Sequence, residues 1–401
     1  MNKLSVRDVD VSSKRVLVRV DFNVPLDERT GAITDDGRIL AALPTIRYLI
    51  DQGARVILAS HLGRPDGKVD EKLRMTVVAQ RLSQILNQSV EAIRDCIGAE
   101  AEESVANLKS GDVILLENLR FYAAEEDNDP LFAQELAKLA DIFVDDAFGT
   151  AHRSHTSIVG VTKHLPAVAG LLLEKELRML GGILDSPTHP FAALLGGAKV
   201  SDKVAMVENI MGKVDCILIG GGMAATFLKA SNREVGLSLI EEEMLDTAAD
   251  LMEKATRSGV RIMLPDDVLV ANEINTKATF KVVPVEAIPA NMRIADIGPW
   301  SVKSFSEELR GCKTIFWNGP MGVYEIPIFA EGTLALAKLL AGSQATTVIG
   351  GGSTAEAVTH IGLADKMTFV STGGGASLQF LSGKSLPGVD ALLDRDNPVS
   401  S

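Results

Sequence analysis

Aromatic residues are scarce: two Trp, three Tyr and 13 Phe make up 4% of the 401 residues, so any core must be built from Val, Ile, Leu and Ala. Cysteine is scarcer still. Cys96, Cys216 and Cys312 are too few and too scattered for a disulfide framework or a Cys-rich metal site. No apolar run reaches the roughly 18–20 residues of a membrane span, and Met1-Asn2-Lys3-Leu4-Ser5 holds no apolar signal core. The secreted and membrane classes are therefore set aside, and a reducing cytoplasm is expected. Positive charge is in deficit, with 40 Lys and Arg against 53 Asp and Glu; the net charge of −13 argues against nucleic acid as a partner. What remains is ordinary globular composition, 46% hydrophobic and 23% charged. The length suits two domains of roughly 150–200 residues each.

Short aliphatic runs stand at 15–20 (RVLVRV), 54–59, 112–116 and 141–145, and again at 191–195, 214–219, 260–264, 313–317, 345–349 and 367–370. Segments such as 130–140 and 329–341 between them carry helical spacing of Leu and Ala. Continuous apolar runs mark buried parallel strands, and their alternation with helices predicts two doubly wound, Rossmann-like α/β units. The joint is expected in 168–184, a helix-like stretch flanked by Gly170 and Gly181-Gly182. Trp300 and Trp317 are expected in the core or a pocket wall.

Ligands of open α/β sheets bind beyond the carboxyl ends of the strands, so the residues after each run carry the functional information. In the first half these are Asp21-Phe22-Asn23, His61-Leu62-Gly63-Arg64, Arg120 and Arg153, with Arg38 in a loop after the first strand. A single arginine there would be a solvated surface group. Four arginines and a histidine on one rim of an acidic chain are better explained as a focused anion site. The second half uses glycine: Gly220-Gly221-Gly222, Gly350-Gly351-Gly352 and Gly373-Gly374-Gly375 each follow a strand and open a helix. Such turns let backbone N–H groups approach phosphate oxygens, so a nucleotide site is expected. Lys199 and Lys203 follow Gly196-Gly197 and would share a face if a helix starts there.

Two other nucleotide motifs are tested and one survives as an alternative. Gly383-Lys384-Ser385 could end a P-loop, but Leu378 stands where its first glycine belongs. Gly220-x-Gly222-x-x-Ala225 and Gly350-x-Gly352-x-x-Ala355 match the glycines of a dinucleotide fingerprint, yet no acidic residue ends the following strand. A dehydrogenase is thus the runner-up. His152 and His155 lack the partners of a zinc site.

The ordered blocks Arg19-Val20-Asp21-Phe22-Asn23-Val24-Pro25, Ser60-His61-Leu62-Gly63-Arg64-Pro65, Glu117-Asn118-Leu119-Arg120-Phe121 and Asp146-Ala147-Phe148-Gly149-Thr150-Ala151-His152-Arg153 closely resemble the phosphoglycerate kinase family. So do Gly196-Gly197-Ala198-Lys199-Val200, Trp317-Asn318-Gly319-Pro320-Met321-Gly322-Val323-Tyr324-Glu325 and Ser371-Thr372-Gly373-Gly374-Gly375-Ala376-Ser377. The resemblance spans essentially the whole chain. It implies a glycolytic kinase moving a phosphoryl group between 1,3-bisphosphoglycerate and MgADP, giving 3-phosphoglycerate and MgATP in a cleft between two hinged domains. Residues 1–170 with 381–401 would hold phosphoglycerate, and 171–380 the nucleotide. Asp21, Phe22, Asn23, Arg38, His61, Leu62, Gly63, Arg64, Arg120 and Arg153 would bind phosphoglycerate. Lys203, Gly220, Gly221, Asn318, Glu325 and the turn Gly350-Gly351-Gly352-Ser353-Thr354 would bind nucleotide, with Glu325 on the ribose and the Gly220 triplet at the adenine. Arg38, Lys199 and the amides of Gly373 and Gly374 would act on the transferring group. A cytoplasmic monomer with no nucleic-acid or membrane partner is expected. One departure stands out: the family's usual Gly-Gly-Gly-Asp turn here ends in Ser353. Ser353 would then serve magnesium through its hydroxyl or a water, with Asp202 as outer-shell charge, and an active but more weakly metal-binding kinase is expected.

Overall fold

A computed structural model describes residues 2–396, and its elements follow from where the apolar runs lie. The first sheet takes β1 (Arg15–Arg19), β2 (Arg55–Ala59), β3 (Val90–Ala92), β4 (Val113–Leu115), β5 (Ile142–Asp145) and β6 (Ala167–Ala169) in the order β3-β4-β2-β1-β5-β6. The second takes β7 (Phe191–Leu195), β8 (Cys216–Ile219), β9 (Arg261–Met263), β13 (Thr314–Asn318), β14 (Thr346–Gly350) and β15 (Phe369–Val370) in the order β15-β14-β13-β7-β8-β9. Every pairing in both is parallel. Parallel strands need crossovers, and helices supply them, so the central strands are covered on both faces. Val16, Val18, Val56 and Leu58 pack with Ile39, Ile46 and Leu49 of the helix Gly37–Asp51 in one core. Leu194, Leu218, Ile315 and Ile349 pack with Phe305, Leu336 and Trp317 in the other.

The expected doubly wound architecture is present, with an addition. β10 (Asp267–Ala271), β11 (Phe280–Pro284) and β12 (Arg293–Ile297) form a separate antiparallel sheet, ordered β11-β10-β12. β11 is mostly exposed, so its residues FKVVP do not read as a buried run. β3 and β6 also escaped the pattern, because three residues are too short to show one. β6 occupies the start of the stretch expected to be the joining helix, and the helix itself is Leu171–Asp185. Trp317 is buried in the core, and Trp300, though 62% exposed, lines a surface pocket with Leu264, Pro265 and Pro284, so each meets one half of the expectation. Among the described residues no helix is long and apolar enough to cross a membrane.

The chain divides into two compact units: one runs through Arg178 and resumes at Ser385, and the other is Met179–Lys384. The division falls inside the helix Leu171–Asp185, some residues beyond the boundary at 170 expected from the sequence. Buried Asp146 caps that helix, its Oδ1 accepting from the amides of Leu172 (2.9 Å) and Leu173 (3.3 Å). Position 170 must be glycine, since a Cβ there would overlap the Asp146 carboxylate.

The C-terminal segment completes the first unit. Gly388 N donates to Ala151 O (2.8 Å), Leu393 N to Ala167 O (2.9 Å), and Leu4 N to Leu393 O (2.8 Å). Lys3 pairs with Asp394 at 2.9 Å, Arg395 with Asp8 at 2.8 Å, and Leu386 and Leu392 are buried. Removing both leucines forfeits roughly 3–6 kcal/mol of burial. A chain ending at Lys384 should therefore unfold its first unit at a temperature lower by on the order of 10 °C. Thermal unfolding read by calorimetry checks this; an unmoved transition would mean that the segment is ornamental.

Candidate active site

Each parallel sheet has one point where neighbouring strands send their chains apart. In the first, β1 leads to β2 on one side and β5 to β6 on the other; in the second, β7 leads to β8 and β13 to β14. Such divergence opens a crevice at the carboxyl ends of the pair. Most of the residues singled out in the sequence lie at or just beyond the carboxyl ends of the strands, on loops or in the first turns of the helices that follow.

In the first unit the site is built around a residue that the sequence reading passed over. Arg19 ends β1 and is 1% exposed. Its Nε donates to Ser157 Oγ (2.9 Å), its Nη1 to the Val20 carbonyl, and its Nη2 faces His61 Nδ1 at 3.1 Å. A guanidinium can only donate, so His61 Nδ1 accepts and the ring proton sits on Nε2. Burial, then the charges of Arg19, Arg120, Arg153 and Arg38, hold the His61 imidazole well below its usual 6.5. His61 is thus a neutral donor among guanidiniums. Ser157 extends the chain to buried Glu125, which accepts from Ser157 Oγ (2.6 Å) and N (2.9 Å). Burial raises the Glu125 carboxyl, and the field of Arg19 opposes the rise. The available signal was an arginine inside an otherwise aliphatic strand, which demands buried partners.

The other expected groups converge unevenly. Arg38 is not in a loop but in the first turn of the helix Gly37–Asp51, where it pairs with Asp21. Asn23 Oδ1 accepts from Gly63 N (2.8 Å), and Arg120 Nη1 donates to Gly63 O (2.9 Å). Asn118 fastens the same turn through Leu62 O (2.7 Å) and Leu73 O (3.0 Å). Phe22 and Leu62 are buried core side chains, so only their backbone could face a ligand. Arg153 makes no ion pair among the described residues, yet its charge acts on His61, His152 and His155. Arg64 is exposed and is not among the charges acting on His61. Arg19, Arg38, Arg120 and Arg153 therefore focus positive potential in a chain of net charge −13.

In the second unit the glycines do two different jobs. Gly197 N donates to Pro320 O, Gly221 N to Met321 O and Met223 N to Gly197 O, each at 2.9 Å. These bonds clasp the loops after β7, β8 and β13 so closely that a Cβ at Gly196, Gly221 or Gly319 would overlap backbone. The amides of Gly220 and Gly221 are thus occupied within the protein, while Gly221 and Gly222 line the cavity described below. Gly351 is different: with φ +85° it caps the helix Gly352–His360, whose first amides have no acceptor within the helix. Asn318 Nδ2, buried and without a partner, lies against this turn. Thr354 is buried, and its Oγ1 accepts from Gly319 N (2.6 Å), so it shapes the turn. Gly374 has φ +49°, and Gly373 N is bonded to Ser371 Oγ (3.1 Å).

Lys199 and Lys203 do not share a helical face, because the helix begins at Val204. Lys203 is 7% exposed beside Gly197, and burial lowers its pKa against the pull of Asp202. Lys199 is exposed in the preceding turn. Glu241 holds that turn, accepting from Val200 N (2.5 Å), Ser201 N (3.1 Å) and Ser201 Oγ (2.5 Å). Its role was invisible in sequence, since nothing local marks a loop carboxylate as the anchor of a distant turn. The clasp floors a cavity of about 810 Å³ walled by Leu237, Leu239, Ile240, Ile274 and Ile294, with Arg293, Tyr324, Glu325 and Ser353 as polar lining. The orphan Asn318 donor and the open helix start favour an anion, and the carboxylate-poor lining fits magnesium only as a cation carried on nucleotide phosphates and water.

Comparison with known proteins agrees with this geometry. A profile of the phosphoglycerate kinase family matches residues 6–384. The phosphoglycerate kinase of Pelotomaculum thermopropionicum is 55% identical over 395 residues, covering 98% of this chain and 100% of that one. That of Moorella thermoacetica is 52% identical with the same coverage. Among solved structures, phosphoglycerate kinase from Coxiella burnetii aligns with a TM-score of 0.87 at 42% identity, covering 97% of this chain and 98% of that one. The Pyrococcus horikoshii enzyme aligns at 0.85 and 34% identity, with the same coverage.

The arginine field has a measurable signature. Burial, then Arg153 and its neighbours, push His155 down to about 4 from the ordinary 6.5. Unfolded imidazole binds protons more tightly than these rings do, so His61 and His155 cost folding stability as the pH falls from 6.5 toward 4. Imidazole ¹⁵N spectra should show His61 as the Nε2–H tautomer throughout pH 5–8 and His155 titrating near 4. A His61 midpoint near 6.5 would refute the neutral assignment.

Proposed function

The chain belongs to the phosphoglycerate kinase family, and from that premise we propose how its two half-sites divide the reaction. It is a glycolytic phosphotransferase, passing a phosphoryl group between 1,3-bisphosphoglycerate and ADP to give 3-phosphoglycerate and ATP. The dehydrogenase alternative falls with this membership. In our reading, phosphoglycerate binds at Asp21, Asn23, Arg38, His61, Arg64, Arg120 and Arg153. The observation that carries the assignment is His61 held neutral inside a ring of guanidiniums, an environment suited to a phosphate and a carboxylate. The nucleotide occupies the cavity of the second unit, its base against the aliphatic wall, Glu325 at the ribose, and its phosphates at Lys203, Asn318 and the start of the helix Gly352–His360.

The attacking group in the ATP-consuming direction is the substrate's own carboxylate, ionised at neutral pH, so no general base is required. The protein's work is positioning and charge compensation on the equatorial oxygens. Arg38, Lys199 and the amide of Gly374 are the groups proposed for it, the amide of Gly373 being taken by Ser371 Oγ. The Asp21 partner of Arg38 keeps that guanidinium aimed until substrate arrives. Magnesium, held by nucleotide phosphates with Ser353 and water, would neutralise phosphate charge. Transfer demands that the two ligands meet away from water, so closure of the two units belongs to the proposal. This reading keeps the expected setting of a cytoplasmic monomer.

A coupled assay of phosphoglycerate-dependent ATP consumption tests the function itself. Arg38→Ala should lower kcat by on the order of 10³-fold while moving the nucleotide KM little. Lys199→Ala should behave alike, and a change of only a few fold in either would make that residue peripheral.

Ser353 gives a separate handle on the metal. Ser353→Asp should lower the magnesium concentration for half-maximal rate, because a carboxylate is the better ligand. An unaltered magnesium dependence would place residue 353 away from the metal.

A further inference from the structure

Two of the three cysteines, far apart in sequence, meet in the fold. Cys216 opens β8, Cys312 stands just ahead of β13, and both are buried. Glu308, near the end of the helix Pro299–Arg310, joins them: the two Sγ atoms and a carboxylate oxygen lie within 4.8 Å of one another. Among the described residues no other group of three or more Cys, His, Asp or Glu side chains gathers so closely. The thiols hydrogen-bond to each other, and Cys312 Sγ also donates to the Glu308 carbonyl at 3.5 Å. Arg261 of β9, level with Cys216 in the sheet, is paired with the Glu308 carboxylate. The cluster lies at the amino ends of β8 and β13, whereas the loops of the nucleotide cavity leave the carboxyl ends of the same strands. It is a separate place on the sheet, and the functional reading above makes no use of it.

A disulfide is one thing two thiols could form, but the sheet argues against it. β7 stands between β8 and β13, and strands two places apart are roughly 10 Å from each other. A disulfide tolerates Cα separations only to about 7 Å. A cation between the thiols asks for less approach, since Zn–S bonds of about 2.3 Å at tetrahedral angles leave two sulfurs about 3.8 Å apart. The carboxylate oxygen beside both sulfurs has no part in a disulfide, and it is an ordinary zinc ligand. Charge points the same way. Two thiolates and a carboxylate are three negative charges; a divalent cation offsets two of them, and Arg261 offsets the third. Magnesium and calcium prefer oxygen ligands and are disfavoured by the sulfurs. We propose that Cys216, Cys312 and Glu308 form a binding site for a thiophilic divalent cation, zinc above all, with water in the fourth position. Binding sends one proton from each thiol to solvent and changes no oxidation state. The ion ties the end of the helix Pro299–Arg310 to β8 and braces the second unit at the edge remote from its cavity.

The test is zinc binding by the full-length protein, reduced with a phosphine, stripped of metal by a chelator and kept without nucleotide so that phosphates cannot hold the ion. Equilibrium dialysis with metal analysis should give one tightly held zinc ion per chain. The unfolding temperature of the second unit should rise by roughly 5–10 °C when free zinc exceeds Kd a hundredfold. Cobalt(II) in place of zinc should bring thiolate-to-metal charge-transfer absorption in the near ultraviolet. Cys216→Ser and Cys312→Ser should each weaken zinc binding by on the order of 10²-fold or more, and Glu308→Gln by about tenfold, while Cys96→Ser leaves it unchanged. Zinc binding that neither Cys216→Ser nor Cys312→Ser moves places the ion elsewhere and overturns the inference, as does an equal loss in Cys96→Ser. A wild type that takes up cobalt without the thiolate absorption overturns it too, and that readout stands even if a serine variant does not fold. Finding the two thiols joined as a disulfide under these reducing conditions would make them a redox pair, and likewise overturns the proposal.

Discussion

Parallel pairing constrains this molecule more than any single contact. A parallel strand cannot hand its chain to a neighbour through a tight turn, so each crossover leaves from the carboxyl edge and returns to the amino edge. All the loops able to carry ligand chemistry then crowd one edge of each sheet, and the divergence at β1/β5 and β7/β13 opens the crevices there. The aliphatic strands supply rigidity and nothing else. Scarcity of aromatics is consistent with that division of labour: Val, Ile and Leu dominate the two-sided sheet cores, a few Phe such as Phe22 and Phe305 join them, and Trp317 stands near the end of β13 with its Nε1 donating to Gly319 O at 2.7 Å.

On the proposed reading the two crevices reach anion recognition by opposite routes. The first spends charged side chains, and burying them has to be compensated. Arg19, Ser157 and Glu125 do this as a continuous hydrogen-bonded chain, so that a guanidinium and a carboxylate can both stand in the interior. The second uses backbone. Its clasp of Gly197, Gly221 and Pro320 consumes amides to fix three loops, while the helix start at Gly352 keeps its own amides directed outward. Side chains suit a small ligand gripped from several directions. Backbone donors suit a phosphate chain approached closely along one side.

How much of this was legible beforehand depends on the range of the interaction. The long buried strands announced themselves through aliphatic runs, and the strand-end residues followed from them. The ordered motif blocks carried the family. Three things did not show. In the sheet β10–β12, β11 and β12 are partly exposed and lack continuous apolar runs, whereas β10 (DVLVA) is a buried run that has no partner run in the sequence pattern. Arg19 shows in sequence as part of a motif and not as its electrostatic centre, because its role depends on His61 from the end of β2 and Ser157 from the helical turn Thr156–Gly160. Glu241 anchors the Lys199 turn from a loop with no local signature. For the glycine triplets, composition does not distinguish a glycine that admits a ligand from one that admits another loop, as Gly221 does.

Histidine brings the electrostatics and the chemistry together. Rings at neutral pH are ordinarily poised to shuttle protons, yet here burial and four guanidiniums hold His61 neutral, and a similar field pushes His155 down to about 4. A site that removes its histidines from titration has given up general acid–base catalysis. It can do so only where the reacting nucleophile is already an anion and the leaving group needs charge compensation more than a proton. On the proposed reading, the field that suppresses protonation of His61 is the field that would attract a substrate carrying phosphate and carboxylate. One set of arginines would then both select the ligand and favour catalysis by charge compensation, leaving positioning as the task of everything around them.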